Sequence, residues 1–246
     1  MAHPAWRTHW RTLISKIKIL HTEEHLQEAL QALHNTQQPH VLAFVNAHAM
    51  NCAAEDETFF AALNSADTIY RDGIGLELMY HMRGEAAGLN LNGTDLIPRL
   101  LKQYARQEIA LYGTAEPYLS QAAQTISASE ATPSAIHCAN GFLGTDEYVA
   151  LAQSQRPALI VLGMGMPKQE LVAAQLRSEL HFPCLIVCGG AIIDFLGGKV
   201  TRAPEWMRSM KAEWIYRLAL EPKRLFKRYV VGNPKFLYRS LHTKRP

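Results

Sequence analysis

The chain has 246 residues, 48% hydrophobic and 19% charged, enough for one well-buried core and a small appendage but not for a third domain. No run of about 18 uninterrupted apolar residues occurs, which excludes a bilayer-spanning helix, and the charged N-terminus lacks a signal-type apolar stretch, so a cytoplasmic location is expected. The net charge of +3 divides unevenly: residues 199–246 carry 13 Lys and Arg against 3 Asp and Glu, a net of +10, while the first 198 residues net −7; a basic tail on an acidic body is expected to meet phosphate, on lipid or on nucleotide.

In chain order, residues 16–20 read as an edge strand and 23–33 as a helix. His40–Asn46 (HVLAFVN) reads as a buried strand, 49–63 as a helix and 67–71 as a short strand before the turn Asp72-Gly73-Ile74-Gly75. A helix is expected over 94–106, with Thr94 as its N-cap and Pro98 inside its first turns. The strand 108–112, the helix 117–127, the strand 135–139 and the helix 145–153 follow. The strand 158–162 ends in Gly163-Met164-Gly165, Pro167 opens the helix 167–180, and 183–188 is a last core strand.

Strands alternating with helices predict an α/β fold: a Rossmann-like parallel sheet with helices on both faces, spanning residues 1–198. Beyond Gly197-Gly198 the character changes, and 199–246 is expected to form a basic helical appendage with helices at 204–220 and 222–231. At 100° per residue Lys223, Arg224, Lys227 and Arg228 share one arc of the second helix, opposite Leu225, Phe226, Tyr229 and Val230. In the first, Trp206, Met210, Trp214 and Leu218 recur every four residues. Such a pair suits the surface of an anionic leaflet, where each Lys or Arg contributes about 1 kcal/mol; packing on the sheet with solvated basic faces fits the charge pattern equally well.

The residues that can carry chemistry cluster where strands end. Asp72 is placed either to cap a helix or to act as a general base at the carboxyl edge of the sheet. Asn46 occupies the matching place on its own strand and could bind a sugar hydroxyl. Gly163-x-Gly165 opens onto a helix N-terminus, where unpaired N–H groups meet anions, yet it lacks the third glycine and the acidic residue of a dinucleotide fingerprint. Gly93-Thr94-Asp95 is most simply a turn and cap, and His48 and His81 read as ordinary, partly exposed histidines. Cys184 and Cys188 lie in an apolar run and read as buried thiols, so no metal site or cofactor is expected. No Asp-x-Asp pair occurs, so a departing diphosphate would have to be neutralised by arginines and helix N-termini.

Taken in order, Asn46-Ala47-His48, Arg71-Asp72-Gly73-Ile74-Gly75, Gly93-Thr94-Asp95, Gly163-x-Gly165-x-Pro167-Lys168-Gln169-Glu170, Asp194-Phe195-x-x-Gly198, Arg202-Ala203-Pro204, Glu213-Trp214-Ile215-Tyr216-Arg217, Glu221-Pro222-x-Arg224 and Gly232-Asn233-Pro234-x-Phe236 resemble the WecG/TagA/CpsF glycosyltransferases over residues 40–240. The resemblance implies inverting, metal-independent transfer of N-acetylmannosamine, its uronic acid or glucose from a UDP-sugar to a saccharide on undecaprenyl diphosphate. It also implies an appendage that touches the inner face of the membrane and lends arginines to the site, in pathways that build teichoic acid linkage units, enterobacterial common antigen or exopolysaccharide.

Carried over by position, Asp72 matches the catalytic base. Asn46, Gly73, Thr94, Asp95, Gly163, Gly165, Lys168 and Gln169 match substrate-site positions, and Arg217, Arg224 and Arg228 are the expected diphosphate contacts. Two departures bear on the sugar: Phe44 stands where several members have Thr, and Cys188-Gly189-Gly190-Ala191 is shifted from their Gly-x-Gly-Gly. A nucleotide-dependent oxidoreductase and a nucleic-acid-binding module remain as other classes, separated by NAD(P)H titration and by salt-dependent binding to DNA or RNA. No nucleic-acid partner is expected, and self-association is left open.

Overall fold

A computed structural model describes residues 5–129, 132–210 and 212–243, without the side chains of 208, 209 and 224. Six parallel strands form one sheet: β1 (Pro39–Val45), β2 (Thr68–Arg71), β3 (Glu108–Gly113), β4 (Ala135–Ala139), β5 (Leu159–Gly163) and β6 (Cys184–Cys188), in the order β2-β1-β6-β5-β3-β4. Every residue of β5 and β6 is buried. That is why these segments read as unbroken apolar runs, as strands covered on both faces do. Cys184 and Cys188 are free, buried thiols.

On one face lie α1 (Ala5–Lys16), α3 (Ala47–Glu55), α4 (Glu57–Asn64), α8 (Thr145–Gln155) and α9 (Lys168–Glu179), whose core includes Trp10, Met50, Phe59, Tyr148 and Leu176. The other face carries α2 (Glu23–His34), α6 (Gly93–Gln103), α7 (Tyr118–Ser127) and α10 (Ile192–Leu196), around Leu30, Ile97, Leu100 and Ile193. The α/β class and the helices on both faces are as expected.

Several boundaries are corrected. The single helix expected over 49–63 breaks at Asp56, which ends α3 and caps α4 by accepting from Phe59 N at 3.0 Å. The helix expected from 94 begins at Gly93 and is capped by Asn92, not Thr94. Pro167 sits one residue outside α9 as its N-cap. The edge strand expected at 16–20 is a lone bridge, Ile17 to Ile69. Three core helices were not expected: α1, whose Trp10, Leu13 and Ile14 are buried at helical spacing, α5 (Ile74–Met82), which buries Leu76, Met79 and Tyr80, and the short α10, which buries Ile192 and Ile193.

The basic tail differs most from expectation. Its first helix is split into α11 (Glu205–Ser209) and α12 (Glu213–Leu220), and α12 buries no residue. The second begins as α13 (Pro222–Phe226) and widens into a π turn over Lys227–Val231. It then runs on as α14 (Gly232–His242) through Gly232, Asn233 and Pro234, where no helix was expected. α14 packs on α3 and α5 and sends Phe236, 1% exposed, into the core beside Trp10, 5.3 Å between ring centres.

Candidate active site

All strands point the same way, so the loops after them share one edge. The chain turns opposite ways after β3 and β5, with α7 on one face and α9 on the other. This is the topological switch point, where open α/β sheets form a ligand crevice. Gly113 and Gly163 pair there, and a Cβ on Gly113 would come within 2.5 Å of the Gly163 carbonyl oxygen, so only glycine lets the strand ends close up. From this crevice the rim runs past Gly189 and the head of α6 to Asn46 and Asp72. The head of α6 belongs to this rim because a Cβ on Gly93 would lie 3.5 Å from Phe44 and 3.6 Å from the Gly189 oxygen. β5 and β2 are three strand spacings apart, about 14 Å.

Asp72 follows β2 and is half-buried. Its backbone N–H donates to the Val45 carbonyl at 2.7 Å, and Asn46 Nδ2 donates to its Oδ2 at 3.3 Å. The other end of the Asn46 amide is occupied: Oδ1 accepts from the N–H groups of His48 and Ala49, both at 3.1 Å, and so caps α3. Asn46 therefore orients Asp72 while tying it to α3. The capping alternative for Asp72 does not occur: α5 starts at Gly73, with φ +83° and no side-chain cap, its N–H bonded to Asn90 Oδ1 at 2.8 Å. The neighbouring Arg71, 2% exposed, holds the carbonyls of Ala87 and Gly88 and so pins the loop that carries Asn90.

Burial raises the Asp72 carboxyl above its ordinary range, against the lowering effects of the Asn46 hydrogen bond, Arg217 and Arg228, while Glu213 adds to the rise. Arg217 on α12 and Arg228 in the π turn thus act on this carboxylate through their charge. Arg217 donates to Glu213 at 2.8 Å and lies over the Phe195 ring at 5.1 Å, and among the described residues the Nε of each arginine is buried without a hydrogen-bond partner. Arg228 also bears on His48, which burial first and Arg228 second push down to about 4, so this half-buried imidazole is neutral near pH 7. The Arg224 side chain lies outside the described residues.

Other expected contacts are engaged elsewhere. Lys168 Nζ donates to the carbonyls of Gly141 at 2.9 Å and Leu143 at 2.7 Å and lies over the Tyr148 ring, so this ammonium clamps a loop instead of facing the crevice freely. That loop carries Phe142, 76% exposed, and is fastened beside the switch point by Gly141 N–H to the Thr114 carbonyl at 2.7 Å. Gln169, 2% exposed, spends its amide on Glu170 and Gly190 N–H. Asp95 is bound by Asn92 and by Arg202, which straps residue 202 to the head of α6; Thr94 lies in the first turn of that helix. Gly165, φ +75°, needs its glycine for the turn into α9. Asp194 accepts from Thr114 and Lys199 next to the crevice.

Sequence reasoning did not single out Asn90, Phe142 or the engaged state of Lys168. The roles of Asn90 and Lys168 depend on contacts between segments distant in sequence, so no local pattern marked them. Among the described residues no three His, Cys, Asp or Glu side chains are grouped as a metal ion would need, and no helix is long and apolar enough to cross a membrane.

The sequence pattern described as the glycosyl transferase WecG/TagA/CpsF family matches residues 10–246. Similar curated proteins include the N-acetylglucosaminyldiphosphoundecaprenol N-acetyl-beta-D-mannosaminyltransferase of Bacillus subtilis (strain 168). It is 28% identical over 188 residues, covering 75% of this chain and 73% of that protein. The proteins of the same name in Bacillus spizizenii and in Staphylococcus aureus (strain NCTC 8325 / PS 47) are 26% and 25% identical over 197 and 204 residues. The alignments cover 78% and 81% of this chain, and 75% and 79% of those proteins.

Proposed function

This chain belongs to the glycosyl transferase WecG/TagA/CpsF family, and from that premise we propose that it transfers a sugar from a UDP-sugar to a saccharide on undecaprenyl diphosphate, docked on the inner face of the cell membrane. N-acetylmannosamine is the first donor to test, since relatives carry that sugar in their names; its uronic acid and glucose complete the panel.

The observation that carries the reading is a proton acceptor held by Asn46 at the carboxyl edge of the sheet, within the field of two tail cations: Asp72 with Arg217 and Arg228. Asp72 takes the proton of the acceptor hydroxyl, and its raised affinity for protons makes it a better base than a solvated carboxylate. The hydroxyl oxygen attacks the anomeric carbon from the side opposite the nucleotide. The bond to the β-phosphate oxygen breaks with its electron pair, and the sugar is inverted. Charge growing on the departing UDP is met by Arg217 and Arg228, without a bound cation. An extended nucleotide-sugar can reach from the switch point to Asp72 along the rim, with Phe142 as a flat surface for the base.

Docking is supported by the exposed apolar side chains that the tail keeps beside its basic residues. Trp206 and Met210 are 63% and 70% exposed, and Phe226 and Val231 are 56% and 52% exposed.

Asp72→Asn should bind UDP nearly as the parent does and turn over at least on the order of 10²-fold more slowly. Undiminished turnover removes the base role. Product formation from the donor panel should persist in EDTA, and activity restored only by magnesium or manganese would replace the arginines with a metal.

A further inference from the structure

Gln169 and Glu170 open α9 at the functional edge, yet both side chains turn inward and are 2% exposed. Glu170 Oε1 accepts from Gln169 Nε2 at 2.8 Å, and Gln169 Oε1 accepts from Gly190 N–H at 3.0 Å. Among the described residues Glu170 Oε2 is buried without a hydrogen-bond partner. One chain of hydrogen bonds therefore runs from a buried carboxyl to the turn after β6. That turn has little latitude, because Gly190 has φ +61° and a Cβ on Gly189 would come within 2.7 Å of Ile192.

A buried carboxylate with one bare oxygen is costly, and in the floor of a crevice that takes a diphosphate its charge would also repel the ligand. The neutral acid costs less to bury and carries no charge to repel the ligand. We infer that Glu170 is a positioning residue that works as the neutral acid: it locks Gln169 and the Gly189–Gly190 turn beneath the donor diphosphate, and its ionisation weakens diphosphate binding. The inference rests on the donor site proposed above.

Burial pushes this carboxyl up to about 7, so the change falls within the working range of pH. Two titratable groups on neighbouring elements feel it: Cys188 of β6 and Cys52 of α3, both kept as thiols by burial. His48, 3.7 Å from Cys52, is neutral near pH 7, and Arg228 acts on His48 and Cys52. On the other elements packed against α9, Lys168 is held over Tyr148 of α8, Asp146 is engaged by Gln175, His40 of β1 by Thr68, and Asp67 by Arg177. None of these supplies a proton donor or a cation to Oε2 among the described residues.

The test measures UDP binding by calorimetry and thermal stability for the full chain, E170Q and E170A, from pH 5 to 9. For the parent, Kd should climb toward tenfold per pH unit above about 7. E170Q should bind as the parent does at pH 6 and lose that climb, the titration of UDP itself being common to both. A folded-state pKa above the unfolded one stabilises below about 4.5 and loses that contribution through 7, so the parent Tm should fall relative to E170Q over that interval. E170A, lacking the tie to Gln169, should bind weakly at every pH. Parallel Kd profiles for parent and E170Q, or a folded E170Q that does not bind, overturn the inference. A parent that binds no UDP at any pH overturns the donor site instead, and the Tm comparison still decides whether Glu170 is held neutral.

Discussion

The two halves of the basic tail share a composition and behave oppositely. From 205 to 231, α12 buries nothing, and Trp206, Met210, Phe226 and Val231 stand in solvent while the charges of Arg217 and Arg228 act on Asp72. From 232 to 242, Phe236 fills a place in the core, and Lys235 and Arg239 both pair with Glu55 of α3 at 2.6 and 2.8 Å. Arg239 also donates to Asn51 Oδ1, and Asn51 donates to the Gly232 carbonyl at 2.7 Å, anchoring the chain where the π turn ends. A cation that is matched by a carboxylate on the body contributes to the fold; Arg217 is instead matched within the tail, by Glu213. The net of +10 for residues 199–246 includes both stretches and conceals the difference.

The sharpest way to break this comparison is to damage the anchored half. Phe236→Ala should cost about 3–5 kcal/mol in urea unfolding, as truncation of a buried aromatic does, and activity should be lost through unfolding. A change under 1 kcal/mol would mean that α14 is not part of the core. Removing the whole tail from 199 would therefore also strip the core of Phe236, so the arginine role is better tested by point substitution.

Arg228→Ala should show the opposite profile, with a drop in kcat of roughly 10²-fold and an almost unchanged unfolding midpoint. Because Arg228 lowers the Asp72 carboxyl, its loss should also move the acid limb of kcat/KM to higher pH; that limb starts above the ordinary carboxylate range. A limb that stays in place would separate this arginine from Asp72.

The smallest effect is expected from Phe226→Ser with Val231→Ser. Binding to vesicles rich in anionic lipid should weaken roughly tenfold to a hundredfold, with turnover of a short-chain, water-soluble acceptor kept. Unchanged vesicle binding would leave these side chains without a membrane role.

How far the sequence carried the reading depended on the range of the interactions. The strands were legible because a parallel strand covered on both faces must be apolar along its length, as in LIVLG and CLIVC. The glycines at the strand ends were legible because few other residues tolerate those turns. Trp10 was missed although Leu13 and Ile14 follow it at helical spacing, a signal that was present and passed over. Asp72 was legible as a choice between cap and base, and its place beside Asn46 removed the first option.

By itself, then, the sequence determined the layered α/β class, the glycine turns at the strand ends and the family pattern, all of which follow from local periodicity, turn chemistry and residue order. Only the tertiary structure decided that Lys168 is a clamp, that Asn46 bonds to Asp72, that among the described residues Glu170 is buried with a bare oxygen, and which tail cations act on Asp72 through their charge. Those outcomes depend on which groups meet across many residues of chain. A charge or amide has no assigned partner until packing supplies one and takes it out of water.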